Sequence, residues 1–74
     1  MITVVRTGVS EECGCPEEEF IYKNICVMIH YEEDGSGHII LDAGDCEQEH
    51  FVTISSFDEL RQKAIDIIDS LPEQ

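Results

Sequence analysis

Seventy-four residues of which 42% are hydrophobic describe one small α+β domain, 1–74, with no room for a second core or a linker. No apolar run approaches the roughly 20 residues needed to span a bilayer, which excludes a membrane-spanning helix. Asp and Glu outnumber Lys and Arg by 17 to 4, and the resulting charge of −13 repels nucleic acid and anionic membranes while steering the chain toward basic surfaces.

In chain order, Ile2 to Val9 is rich in β-branched residues, with Ile2 and Val4 on one face and Thr3, Val5 and Thr7 on the other; this predicts a first strand. From Ser10 to Glu19 periodicity is lost, and Gly14, Pro16 and five glutamates predict a solvated acidic loop carrying Cys13 and Cys15. Phe20 to Glu32 is the longest β-like run. Phe20 and Tyr22 have the opposite parity from Ile25 onward, so a bulge is expected near Lys23 and Asn24. Glu33-Asp34-Gly35-Ser36-Gly37 predicts a hairpin, and placing Tyr31 opposite Ile39 and Ile29 opposite Leu41 keeps apolar side chains on one face. Asp42 to Glu49 interrupts with Gly44 and four acids, a second acidic loop, before a short fourth strand over His50 to Ser55.

Ser56 to Leu71 has helical period: Phe57, Leu60, Ala64, Ile67, Ile68 and Leu71 recur at three- and four-residue steps. Ser56 with Glu59 three residues later reads as a capping box, and Pro72 as the stop. The expected architecture is β-β-β-β-α, a four-stranded antiparallel sheet with the C-terminal helix packed on one face. In that topology residues 10–19 and 43–49 lie at one end of the sheet, joined by the helix C-terminus with Asp66, Asp69 and Glu73. Crowded carboxylates there would have raised pKa values, so melting temperature would rise with salt and on acidification from about pH 8 toward about pH 5.

Little in the chain suggests catalysis. His30, His38 and His50 have no catalytic spacing, no nucleophile elbow or phosphate loop is present, and Asp42-Ala43-Gly44-Asp45-Cys46-Glu47 lacks the alternation of a calcium loop. The four cysteines admit three readings. Free thiols are the default; zinc bound by Cys13, Cys15, Cys26 and Cys46 is a second; a disulfide from Cys13 or Cys15 to Cys46 is a third. No cofactor is expected, and the absence of a basic stretch followed by an apolar run at the N-terminus predicts a cytoplasmic protein.

In size, acidity and a four-strand-plus-helix plan, the chain resembles phage-encoded inhibitors of bacterial defence of the anti-CRISPR kind and acidic nucleic-acid mimics. The resemblance implies a non-enzymatic inhibitor acting in the host cytoplasm, occluding the basic groove of a nucleic-acid-binding protein without itself touching nucleic acid or membrane. The carboxylates expected to pair with partner Arg and Lys are Glu11, Glu12, Glu17, Glu18, Glu19, Asp42, Asp45, Glu47 and Glu49. The alternative is an interaction module or accessory subunit that uses the sheet face opposite the helix, where Cys26, Met28, His30 and Ile40 fall; a homodimer is its simplest form.

Overall fold

Five strands, one more than expected, follow one another as antiparallel hairpins. They are β1 (Ile2–Val9), β2 (Pro16–Tyr22), β3 (Ile25–Tyr31), β4 (Ser36–Asp42) and β5 (Glu47–Thr53), in spatial order β1-β2-β3-β4-β5, and the helix α1 (Phe57–Asp69) follows them. The computed structural model describes residues 2–9, 11, 14–44 and 46–71.

The extra strand is β2, drawn from the glutamate-rich segment whose polarity reads as loop. Its carboxylates alternate between two faces, and each face supplies an arginine. Glu17 and Glu19 lie beside Arg6 of β1, at 3.4 and 3.8 Å. Glu18 points the other way, is 5% exposed, and accepts from Arg61 Nε at 2.8 Å and Arg61 Nη2 at 2.9 Å. The parity change at Lys23 and Asn24 is a turn, not a bulge. Both residues have positive φ, 50° and 64°, and Tyr22 pairs with Ile25 across them, as in a two-residue type I′ hairpin. A bulge does occur in β1, where the register shifts between Val4 and Arg6.

The β3–β4 register also departs from expectation by two residues: Ile29 faces Ile39, Val27 faces Leu41, and Tyr31 faces Gly37. The turn is centred one residue earlier than the expected register places it. Glu32 N donates to Ser36 O at 2.8 Å, and the Asp34 carboxylate accepts from the Ser36 amide at 3.0 Å and its hydroxyl at 2.6 Å. Gly37 therefore belongs to β4 and lies under the helix. A Cβ there would run into Leu60 Cδ1 and sit 3.0 Å from Ile54 Cδ1. The last strand begins at Glu47 and not at His50, so Glu47, Gln48 and Glu49 of the second acidic segment are also strand.

The helix is bounded much as its sequence indicates, with Ser56 as N-cap and its Oγ accepting from Glu59 N at 3.2 Å. Leu60, Ala64 and Ile68 are its buried residues, and they close over Phe20, Val27, Ile29, Ile39, Leu41 and Ile54. The core thus lies wholly between one face of the sheet and the helix.

The added hairpin reverses the placement of the acidic segments. The β1–β2 connection now lies at the end of the sheet that holds the β3–β4 turn, and the β4–β5 turn lies at the other end with Lys23 and Asn24. Among the described residues, the two acidic segments are separated by β3 and β4 and are not neighbours.

Candidate functional site

The face of the sheet away from the helix is laid out by the register. One row across the strands is Gly8, Glu17, His30, His38 and Phe51; the next is Arg6, Glu19, Met28, Ile40 and Glu49; the third is Thr3, Ile21, Cys26, Asp42 and Glu47. Met28, Ile21 and Phe51 are 41%, 39% and 70% exposed, so an apolar patch stands uncovered on this face. A shallow depression of about 170 Å³ lies among Arg6, Glu17, Met28, His30, His38 and Ile40.

Five of the nine carboxylates expected to bind a partner are on this face: Glu17, Glu19, Asp42, Glu47 and Glu49. Glu18 is not, being buried on the helix side against Arg61. Glu11 is exposed beyond the end of β1, and Glu12 and Asp45 lie outside the described residues. What gathers the acids is therefore the sheet face, not one end of the molecule. Of the chain's four Lys and Arg residues, Arg6 alone is on it; Lys23 is in a turn, and Arg61 and Lys63 are helical.

Several side chains of the face are fixed by neighbours. His38 stacks on Phe51, with centroids 4.6 Å apart and planes 5° from parallel. Its Nε2 lies 3.5 Å from Glu49 Oε2, within ion-pair range but without hydrogen-bond geometry, so among the described residues this buried nitrogen has no hydrogen-bond partner. The Cys26 thiol lies 3.7 Å from Glu19 Oε2. Burial, and secondarily the charge of Glu19, push its pKa up, which disfavours the thiolate.

The acids at the helix C-terminus are not mutually repelling as expected. Asp69 accepts from Lys23 Nζ and Tyr22 OH, both at 2.8 Å, and these two hydrogen bonds, Lys23 first, hold its pKa below the ordinary value. Asp66 accepts from Gln62 at 2.9 Å. Glu73 lies outside the described residues.

The four-cysteine zinc set is not assembled. Cys15 leads into β2 at one end of the sheet, while Cys26 near the start of β3 and Cys46 in the β4–β5 turn are at the other; Cys13 lies outside the described residues. Cys46 is an exposed free thiol, so the disulfide to Cys13 or Cys15 is not formed. A different group converges instead. Ligand atoms of Cys15, His30 and Glu32 all lie within 4.8 Å of one another. His30 and Glu32 were separable in the sequence only as an i, i+2 pair, and Cys15 joins them only once β2 is a strand.

No protein-family profile, curated protein or solved structure matches this chain. Among the described residues no helix is long and apolar enough to cross a membrane.

Proposed function

We propose that the chain is a non-enzymatic binding protein that takes a basic surface of a nucleic-acid-binding protein onto the open face of its sheet. The observation that carries this reading is the composition of that face, an uncovered apolar patch flanked by five carboxylates with Arg6 as its one permanent cation. Alternate residues on a strand are about 6.7 Å apart and opposed residues about 5 Å apart. Glu47, Glu49 and Asp42 thus present charges at intervals that a groove lined with Arg and Lys can meet. The apolar patch supplies the desolvated centre that such an interface needs. Occlusion of a bacterial defence protein's nucleic-acid groove is the specific form of this activity.

A second copy of the chain suits the face less well, because stacking two such faces would oppose carboxylates to carboxylates. The interaction-module reading thus merges with the first: same face, heterologous basic partner.

A photo-crosslinking residue placed at Phe51 or Met28 tests the site, with one at Lys63 on the exposed side of the helix as control. Expected is capture, in host lysate, of a basic protein at the first two positions only. Capture should be lost between about 50 and 500 mM salt, and the purified partner's affinity should fall in Glu47→Gln/Glu49→Gln. Equal capture at Lys63, or an affinity indifferent to salt and to these substitutions, would sink the proposal.

A further inference from the structure

We infer that Cys15, His30 and Glu32 form a binding site for a divalent transition metal, with Zn²⁺ the ion that fits best. The strand register builds it. Glu17 faces His30 across β2 and β3, and Cys15 and Glu32 lie just beyond that pair, one immediately before the first residue of β2 and the other immediately after the last of β3. The ligand atoms, one sulfur, one imidazole nitrogen and one carboxylate oxygen, already lie within 4.8 Å of each other. Tetrahedral zinc bonds of about 2.0–2.3 Å place ligand atoms roughly 3.3–3.8 Å apart, so side-chain rotations alone close the set.

The donor chemistry selects the ion. A thiolate with an imidazole suits zinc and its neighbours, whereas calcium and magnesium take oxygen ligands throughout. The site is also held in place. Glu32 is anchored by its backbone to the β3–β4 turn through Ser36 and Gly35, and His30 sits within β3. Cys15 is buried at 4%, while the side chains of His30 and Glu32 are 24% and 41% exposed, so the site is closed on the protein side and open toward solvent. Without metal, His30 Nδ1 is 3.1 Å from Glu32 Oε1. Binding replaces that contact: the Cys15 thiol releases its proton to solvent, its sulfur donates a lone pair to the ion, and a water completes four-coordination. The ion then ties the lead-in of β2 to the end of β3.

The test uses the full chain, stripped with chelator, titrated with Zn²⁺ against a chromophoric competitor and separately with Co²⁺. Expected is one equivalent bound, a thiolate-to-cobalt charge-transfer absorption, and a melting temperature that rises with metal. Cys15→Ser should abolish the absorption. His30→Gln and Glu32→Gln, at partly exposed positions that leave the core intact, should weaken Zn²⁺ by roughly a hundredfold, the upper end of what loss of even outer-shell partners costs. Cys46→Ser, at the other end of the sheet, should bind like the parent. The inference is overturned if Glu32→Gln and His30→Gln bind as tightly as the parent, if cobalt gives no sulfur absorption, or if Mg²⁺ competes equally with Zn²⁺.

Discussion

Arg61 holds Glu18 with two nitrogens, at 2.8 and 2.9 Å, while 95% of Glu18 is withdrawn from solvent. Arg61→Ala leaves that carboxylate on the helix side of the sheet without its cation. Removing one partner of a fully buried ion pair costs about 3–5 kcal/mol. The Arg61 side chain is 29% exposed and water reaches part of the site, so about 2–3 kcal/mol is the appropriate figure. A chain of 74 residues has a total stability of about 4–11 kcal/mol and an unfolding entropy near 0.16 kcal/mol/K. The melting temperature should therefore drop by about 13–19 °C, read by circular dichroism. Glu18→Gln should cost about 1 kcal/mol, since the amide oxygen still accepts and Arg61 retains Asp58 at 3.2 Å. Glu18→Met/Arg61→Leu, which removes both charges, should recover most of the loss. A drop under about 5 °C for Arg61→Ala, or equal drops for the two single variants, would show that water screens the pair and that β2 does not depend on it.

Gly37→Ala should destabilise by about 1–3 kcal/mol in denaturant titration, because the new methyl enters space occupied by Leu60 and Ile54; an unchanged midpoint would mean the helix shifts freely. Asp69 and Asp34 have folded pKa values lowered by hydrogen bonds from Lys23 and Tyr22 and from Ser36, so the stability they contribute is present above the unfolded value of about 3.9 and is lost as pH falls through the lower folded values. Melting temperature should thus decline on acidification below about pH 5, with a shallower decline in Asp69→Asn; identical slopes would refute the assignment. Cys46, exposed, should react with iodoacetamide at least roughly tenfold faster than Cys26, whose thiol pKa is raised by burial and by Glu19; peptide mass spectrometry reads the ratio, and parity would contradict the packing around β3.

The helix was legible because everything that defines it is local: the three- and four-residue spacing of Leu60, Ala64 and Ile68, and a serine placed to cap. β2 was not, because what makes Glu17, Glu18 and Glu19 acceptable in a strand is Arg6 and Arg61, the latter 43 residues away. Lys23-Asn24 lacks the glycine that usually marks a type I′ turn, so a change of parity was visible but its cause was not. One missed hairpin then turned Glu17, Glu18 and Glu19 from loop residues into strand residues, and put the start of β2 at the opposite end from the β4–β5 turn. The acids were legible as a charge excess, but their grouping was not, since the face that collects Glu17, Glu19, Asp42, Glu47 and Glu49 exists only once strands are counted correctly. Gly37 is similar: in the sequence it is a turn glycine, and only the helix above it shows why a side chain is excluded.

β1 is the least anchored part of the sheet. Its residues beyond Ile2 are all exposed, and the helix lies chiefly over β3, so hydrogen bonds to β2 are most of what holds it. Amide exchange should be fastest there and slowest in β3, by local fraying and not global opening. This is also the strand that carries Arg6. Were β1 to lift away, Glu17 and Glu19 would lose the counter-charge they share, and the sheet behind it would become one charge more negative toward whatever approaches. An arriving cation therefore competes with Arg6 for these two carboxylates, and the strength of that pairing sets how much of the face's acidity the cation meets.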